Sequence, residues 1–156
     1  MTVLVAYYSW KGHTEKVALH LAKVLGADTV KIEPLRECGM AGKALRALFG
    51  LCSGIRPVKT DLTGVDTLVI ATPVWAGKVP PYVNRYMELL TGGAGKPFHV
   101  IVEMAGSGDQ SAIRAVRKRL EGKGLTFASS ATTLEKDVDA GTFTGTVESF
   151  AAGIRG

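Results

Sequence analysis

Short apolar runs alternate along this chain with stretches whose apolar positions recur at helical spacing. Thr2–Tyr8 (TVLVAYY) is continuously apolar and short, the pattern of a strand covered on both faces, and Asp66–Thr72 (DTLVIAT) is another. Phe98–Met104 (FHVIVEM) is strand-like, Thr29–Ile32 is a weaker strand with Val30 and Ile32 alternating, and Leu125–Ser130 predicts a short last strand. Between them the period changes. Val17, Leu21, Val24 and Leu25 form one stripe of a helix over Gly12–Leu25, which Gly26 ends. Val83, Tyr86, Met87 and Leu90 mark a second helix over Pro80–Leu90, and Ile113, Val116 and Leu120 a third over Ser111–Glu121. Val147, Phe150, Ala151 and Ile154 predict a closing helix. Strands that alternate with helices in this way predict an α/β fold, a parallel sheet with helices on both faces.

No repeat or linker divides the chain, so residues 1–156 are expected to form one domain. A chain of 156 residues can bury roughly 70% of its extended surface, enough for one core. The segment between the second and third strands, about 36–59, is irregular, with a short helix expected over Leu45–Leu51. Apolar residues make up 46% and charged residues 21%, which excludes bulk disorder. The net charge of +5 is unevenly placed. Residues 36–59 carry +4, Ser111–Lys123 carries another +4, and the remainder is therefore −3. No apolar stretch approaches the roughly 20 residues of a membrane span, and the N-terminus lacks the pattern of a secretory leader. A cytoplasmic protein is expected. Cys38 and Cys52 are too few for a disulfide scaffold and have no metal-ligand spacing, so no metal is expected.

In an open parallel sheet, ligands bind beyond the carboxyl ends of the strands. Three loops reach that edge. The first, Ser9-Trp10-Lys11-Gly12-His13-Thr14, offers hydroxyls, a permissive glycine and a helix N-terminus, a cradle suited to a phosphate or no more than an N-capped turn. The second, Thr72-Pro73-Val74-Trp75-Ala76-Gly77-Lys78, sets a tryptophan between a rigid proline and a flexible pair. Trp75 either stacks on a flat aromatic ligand or packs as a lid on the sheet edge. The third, Met104-Ala105-Gly106-Ser107-Gly108-Asp109, is small enough for close backbone approach, and Asp109 or Ser111 can accept amides at the next helix start.

Together, AYYSWKGHTEKVA and DTLVIATPVWAGKVPPYV resemble the flavodoxin family over nearly the whole chain. The resemblance implies a three-layer sandwich around a five-stranded parallel sheet of order 2-1-3-4-5, with one noncovalent FMN. It assigns Ser9, Trp10, Lys11, Gly12, His13 and Thr14 to the FMN phosphate. Thr72, Pro73, Val74, Trp75, Ala76, Gly77 and Lys78 fall to one side of the isoalloxazine, and Met104, Ala105, Gly106, Ser107, Gly108 and Asp109 to the other. Gly77 is the position whose peptide would turn toward ring N5. No side chain is implied to act as acid or base, so no catalytic residue is named.

Two features depart from the family pattern. The third loop has no second aromatic to sandwich the ring, and the chain is basic, with Lys78 beside the expected ring. A lysine about 6 Å from a reduced flavin would raise its potential by something on the order of 100 mV. The expected partner is thus an acidic redox protein or a small acceptor such as a quinone. Electron transfer is the leading function, and an FMN-dependent NAD(P)H:quinone or related two-electron oxidoreductase is the alternative. A basic module binding nucleic acid or protein through Arg114, Arg117, Lys118 and Arg119 is more remote, since no aromatic interleaves those charges. Other readings fail on missing residues. No acidic residue closes the first strand as a receiver domain needs, neither cysteine has the arginine spacing of a phosphatase, and the Walker A and G-x-S-x-G patterns are absent.

Overall fold

A computed structural model of the chain describes residues 1–36 and 54–156. The order of elements is β1 (Val3–Tyr7), α1 (His13–Leu25), β2 (Asp28–Lys31), β3 (Thr67–Pro73), α2 (Pro81–Leu89), β4 (Pro97–Met104), α3 (Asp109–Glu121), β5 (Thr126–Leu134), α4 (Glu135–Ala140) and α5 (Thr144–Arg155). All strand pairings are parallel and the sheet order is β2-β1-β3-β4-β5, the expected 2-1-3-4-5. The expected helix Leu45–Leu51, with Cys38 and Cys52, lies outside the described residues.

Every residue of β1 and β3 is buried, which explains why these strands are apolar at successive rather than alternate positions. Leu4, Ala6, Ile70, Val100 and Val102 face one layer, made with Tyr82, Val83 and Tyr86 of α2 and Ile113, Val116 and Leu120 of α3. Val3, Val5, Val69, Ala71 and Ile101 face the other, packed on Val17 and Leu21 of α1 and Val147, Phe150 and Ile154 of α5. Glycines end the first helix as expected: Gly26, at φ 63°, donates its N–H to carbonyls of the last turn. Pro81 opens α2 at a position where its missing N–H costs nothing.

Two boundaries differ from the sequence reading. The last strand runs on to Leu134 instead of stopping at Ser130, since Ala131–Leu134 pair in register with Ile101–Met104. Its start is irregular too: Phe98 pairs with Phe127 but His99 with Ser129, which leaves Ala128 as a bulge. The six-residue helix α4, directly after β5, was not anticipated. Among the described residues, no helix is long and apolar enough to cross a membrane.

Ile70 is fully buried at the centre of the middle strand, between Ala6 and Val100. Ile70→Ala is therefore expected to lower stability by about 2–5 kcal/mol. Urea denaturation reads this directly, and a loss below about 1 kcal/mol would contradict this placement of the core.

Candidate functional site

The three loops after β1, β3 and β4 converge at the carboxyl edge of the sheet. In the first, Gly12 is the N-cap of α1 with φ 93°, and its N–H donates to Ser9 Oγ at 3.1 Å. No side chain caps the first turn of α1, so its amides and the positive end of the helix dipole face the loop uncapped. A Cβ built on Gly12 would meet nothing within 4 Å, so the cradle is open. These features fit a phosphate group. Trp10 is exposed on the rim, and the Lys11 ammonium lies 5.1 Å from the centre of its ring.

The second loop is a tight hairpin. Trp75 and Lys78 exchange both backbone hydrogen bonds at 2.9 Å. The residues between them, Ala76 at φ 49° and Gly77 at φ 74°, both have the positive φ of a type I′ turn. Trp75 itself is half-buried in an aromatic cluster, edge-on to Tyr8 at 5.7 Å, Trp10 at 5.8 Å and Tyr82 at 6.3 Å. The indole is thus anchored by packing, and its cluster joins the first loop to the second. Tyr82 is fully buried in that cluster.

The third loop closes against the second. A Cβ built on Gly108 would lie 2.7 Å from Gly77 Cα and 3.1 Å from Val74 Cγ1. Only glycine, here at φ 97°, allows that approach. The two loops therefore touch at Gly77 and Gly108. Gly108 is also the N-cap of α3 and has no side chain to cap it; the Asp109 carboxylate accepts from the backbone amides of Asp109 and Gln110 at the helix start, as expected. Asp109 Oδ2 also accepts hydrogen bonds from Thr132 Oγ1 at 3.0 Å and Gln110 Nε2 at 3.2 Å.

A cavity of about 190 Å³ lies between the loops. Ser9, Trp10, Lys11, His13 and Thr14 line it from the first loop, Pro73, Val74 and Trp75 from the second, and Met104 and Ala105 from the third. The remaining expected positions stand elsewhere. Gly12 forms the turn below the cradle, and Thr72 is buried with its hydroxyl donating to the Pro73 carbonyl at 3.0 Å. Ala76, Gly77 and Lys78 form the hairpin tip, while Gly106, Ser107, Gly108 and Asp109 lead into α3.

Sequence reasoning missed two residues of the lining, Glu103 and Glu135. Glu103, the penultimate residue of β4, is only 7% exposed and accepts a hydrogen bond from Thr14 Oγ1 at 3.3 Å. Burial pushes its carboxyl above the usual range, with the charge of His13 opposing the rise and that of Glu135 adding to it. His13, expected at the phosphate, turns its Nε2 to Asp139 Oδ1 at 2.8 Å, with Glu135 Oε1 3.8 Å away. Its ring is engaged by α4, the helix that the sequence reading lacked. A polar residue at the end of an otherwise apolar strand was the available signal for Glu103.

A uncapped helix start, a hairpin-borne tryptophan and a glycine contact at the edge of a 2-1-3-4-5 sheet define a flavodoxin-like nucleotide-binding class. Residues 1–137 match the family described as NADPH-dependent FMN reductase, and the chain belongs to that family of flavodoxin-like, FMN-binding proteins. Solved structures resemble it at low identity. A protein from Bacteroides uniformis is 19% identical, covers 97% of both chains and superposes with a TM-score of 0.81. A flavoprotein from Lactobacillus acidophilus, solved in complex with FMN, is 18% identical with a TM-score of 0.68 over 89% of this chain and 97% of its own. A flavodoxin of Streptococcus pneumonia is 18% identical with a TM-score of 0.59 over 99% and 98% of the two chains. At these identities the likeness shows the fold. No curated protein matches the sequence.

The contact between the loops separates two neighbouring glycines. Gly106 has open space around its Cβ position and no positive φ, so Gly106→Ala is expected to change stability by no more than about 0.5 kcal/mol. Gly108→Ala meets the Gly77 backbone and is expected to cost roughly 2–4 kcal/mol. Thermal unfolding of the two variants gives the comparison, and equal stabilities would refute the contact.

Proposed function

We propose that the protein is an FMN-dependent oxidoreductase that takes electron pairs from a reduced pyridine nucleotide and passes them to a small acceptor of the quinone class. The observation that carries this reading is a pair of exposed lysines on the first two loops, Lys11 in the cavity lining and Lys78 at the hairpin tip. Membership of a family described by NADPH-dependent FMN reduction supports it. Bound FMN supplies the redox chemistry at its isoalloxazine. The chain's own residues hold and bias it. Ser9 and the uncapped amides of α1 hold the phosphate. Trp75, anchored edge-on by its neighbours, gives the ring an apolar wall and excludes water from that side. The lysines favour added negative charge on the ring and attract an anionic donor.

Carriage of single electrons to an acidic protein is the second reading, favoured by the basic face of α3, the helix that starts at the third loop. Arg114, Lys118 and Arg119 are exposed there, while Arg117 is held by Glu121 at 2.9 Å and lies 4.7 Å from the Phe127 ring.

FMN-loaded protein is expected to oxidise NADPH or NADH in the presence of a soluble quinone, with turnover lost on removing FMN and restored on adding it back. Tight FMN binding without pyridine-nucleotide turnover would overturn the reductase reading in favour of carriage. Lys78→Gln is expected to lower the flavin midpoint potential by tens of millivolts, more at low salt than at high salt. An unchanged potential would remove Lys78 from the argument.

A further inference from the structure

Ser9 and Thr14 both contribute a hydroxyl to the cavity, but their hydrogen bonds run in opposite senses. Ser9 Oγ accepts from the Gly12 amide, which leaves its own proton free for a ligand. Thr14, 2% exposed in the first turn of α1, donates its proton to Glu103 Oε2. A hydroxyl has a single proton. An ionised Glu103 therefore occupies the donor that an acceptor-only phosphate needs, and places a second negative charge beside it.

We infer that Glu103 is the proton-holding residue of the phosphate seat: when it is protonated it donates to Thr14 Oγ1, the Thr14 hydroxyl turns its proton to the phosphate, and FMN binding takes up one proton from solvent. This rests on the reading of the cavity as an FMN site. It makes Glu103 a positioning residue, acting through Thr14, that sets the preference of the site for FMN over riboflavin. Atoms and charge balance: the carboxylate gains a solvent proton, the Glu103–Thr14 hydrogen bond reverses, and no covalent bond to the ligand forms.

The surroundings agree with this assignment. The strand neighbours of Glu103 in the sheet are Pro73 and Thr133, neither of them charged. From α1 it faces His13, whose Nε2 is engaged by Asp139, and from α4 it faces Glu135 and Asp139 themselves. Burial already favours the neutral acid, and a phosphate carrying a charge of about −1.5 to −2 at pH 7 adds to that preference. The sign follows. Glu103 has a higher pKa with phosphate bound than without it, so affinity is greatest below the free-form pKa. It falls by about tenfold per pH unit between the two values and levels off above the bound-form value.

The test is titration calorimetry of the apo-protein with FMN and with riboflavin, from pH 5 to 9, each in two buffers of different ionisation enthalpy. FMN is expected to bind with net proton uptake and an affinity that falls with rising pH, whereas riboflavin, which lacks the phosphate, should bind independently of pH. The phosphate itself titrates near pH 6, so the control is Glu103→Gln, which keeps that titration. Its amide donates to Thr14 Oγ1 at every pH. The variant should therefore come closest to the wild type at the acid end of the range, bind FMN at least tenfold more tightly at the alkaline end, and lose up to one proton of uptake. Thr14→Ser should retain the wild-type profile and Thr14→Val should abolish it. FMN binding with the same proton uptake and pH profile in wild type and Glu103→Gln would overturn the inference while leaving the FMN site intact. Failure of the folded wild type to bind either flavin at any pH would overturn both.

Discussion

Burial of β1 and β3 on both faces is the constraint from which the rest follows. A parallel strand covered on two sides needs a helical crossover to reach its neighbour, and crossovers of one hand return every strand to the sheet pointing the same way. The carboxyl ends of β1, β3 and β4 thus open on one edge, and their following loops meet there. The chain passes from β1 to β2 on one side and reaches β3 on the other. Around β1, successive connections therefore part in opposite directions and leave a crevice at their loops. The cavity occupies that crevice because of topology, before any loop residue is considered.

Loop chemistry then decides its shape. Glycine at position 108 lets the third loop touch the second, and the positive φ of Ala76 and Gly77 turns the hairpin that presents Trp75. Ala76 is the costly member of that pair, since a left-handed conformation disfavours any Cβ by about 1–2 kcal/mol. Tyr8 just past β1, Trp10 in the first loop and Tyr82 in α2 meet Trp75 edge-on and so tie three separate parts of the chain to the hairpin.

The sequence made the architecture readable because parallel strands buried on both faces leave an unbroken apolar signature, and each helix that covers them has a stripe to bury. Thr2–Tyr8 and Asp66–Thr72 were visible for that reason, as were the stripes of α1, α2, α3 and α5. The end of β5 was not, because edge-strand residues such as Thr132 and Thr133 lack an apolar run. Six-residue α4 is under two turns long and shows no period. Its absence from the sequence reading also hid the engagement of His13, since Glu135 and Asp139 reach that ring only through the fold. Glu103 escaped for a related reason. One carboxylate in an apolar run looks like the fraying end of a strand, whereas pairing in register with Pro73 and Thr133 keeps it buried.

Composition pointed toward a cationic site, and the local arrangement is more mixed. Residues 36–59 and 111–123 each carry +4 against −3 for the rest of the sequence, while the cavity holds Glu103 and Glu135 against Lys11 and an engaged His13. A phosphate seated there gains little from the net charge, which acts over distances that physiological salt screens to about 8 Å. What remains is short-range: the uncapped amides of α1, the Ser9 hydroxyl, and the Thr14 hydroxyl where it no longer donates to Glu103. In the proposed FMN site, affinity for the phosphate therefore falls to oriented neutral donors, whose strength depends on geometry and, on our inference, on the protonation of one buried acid.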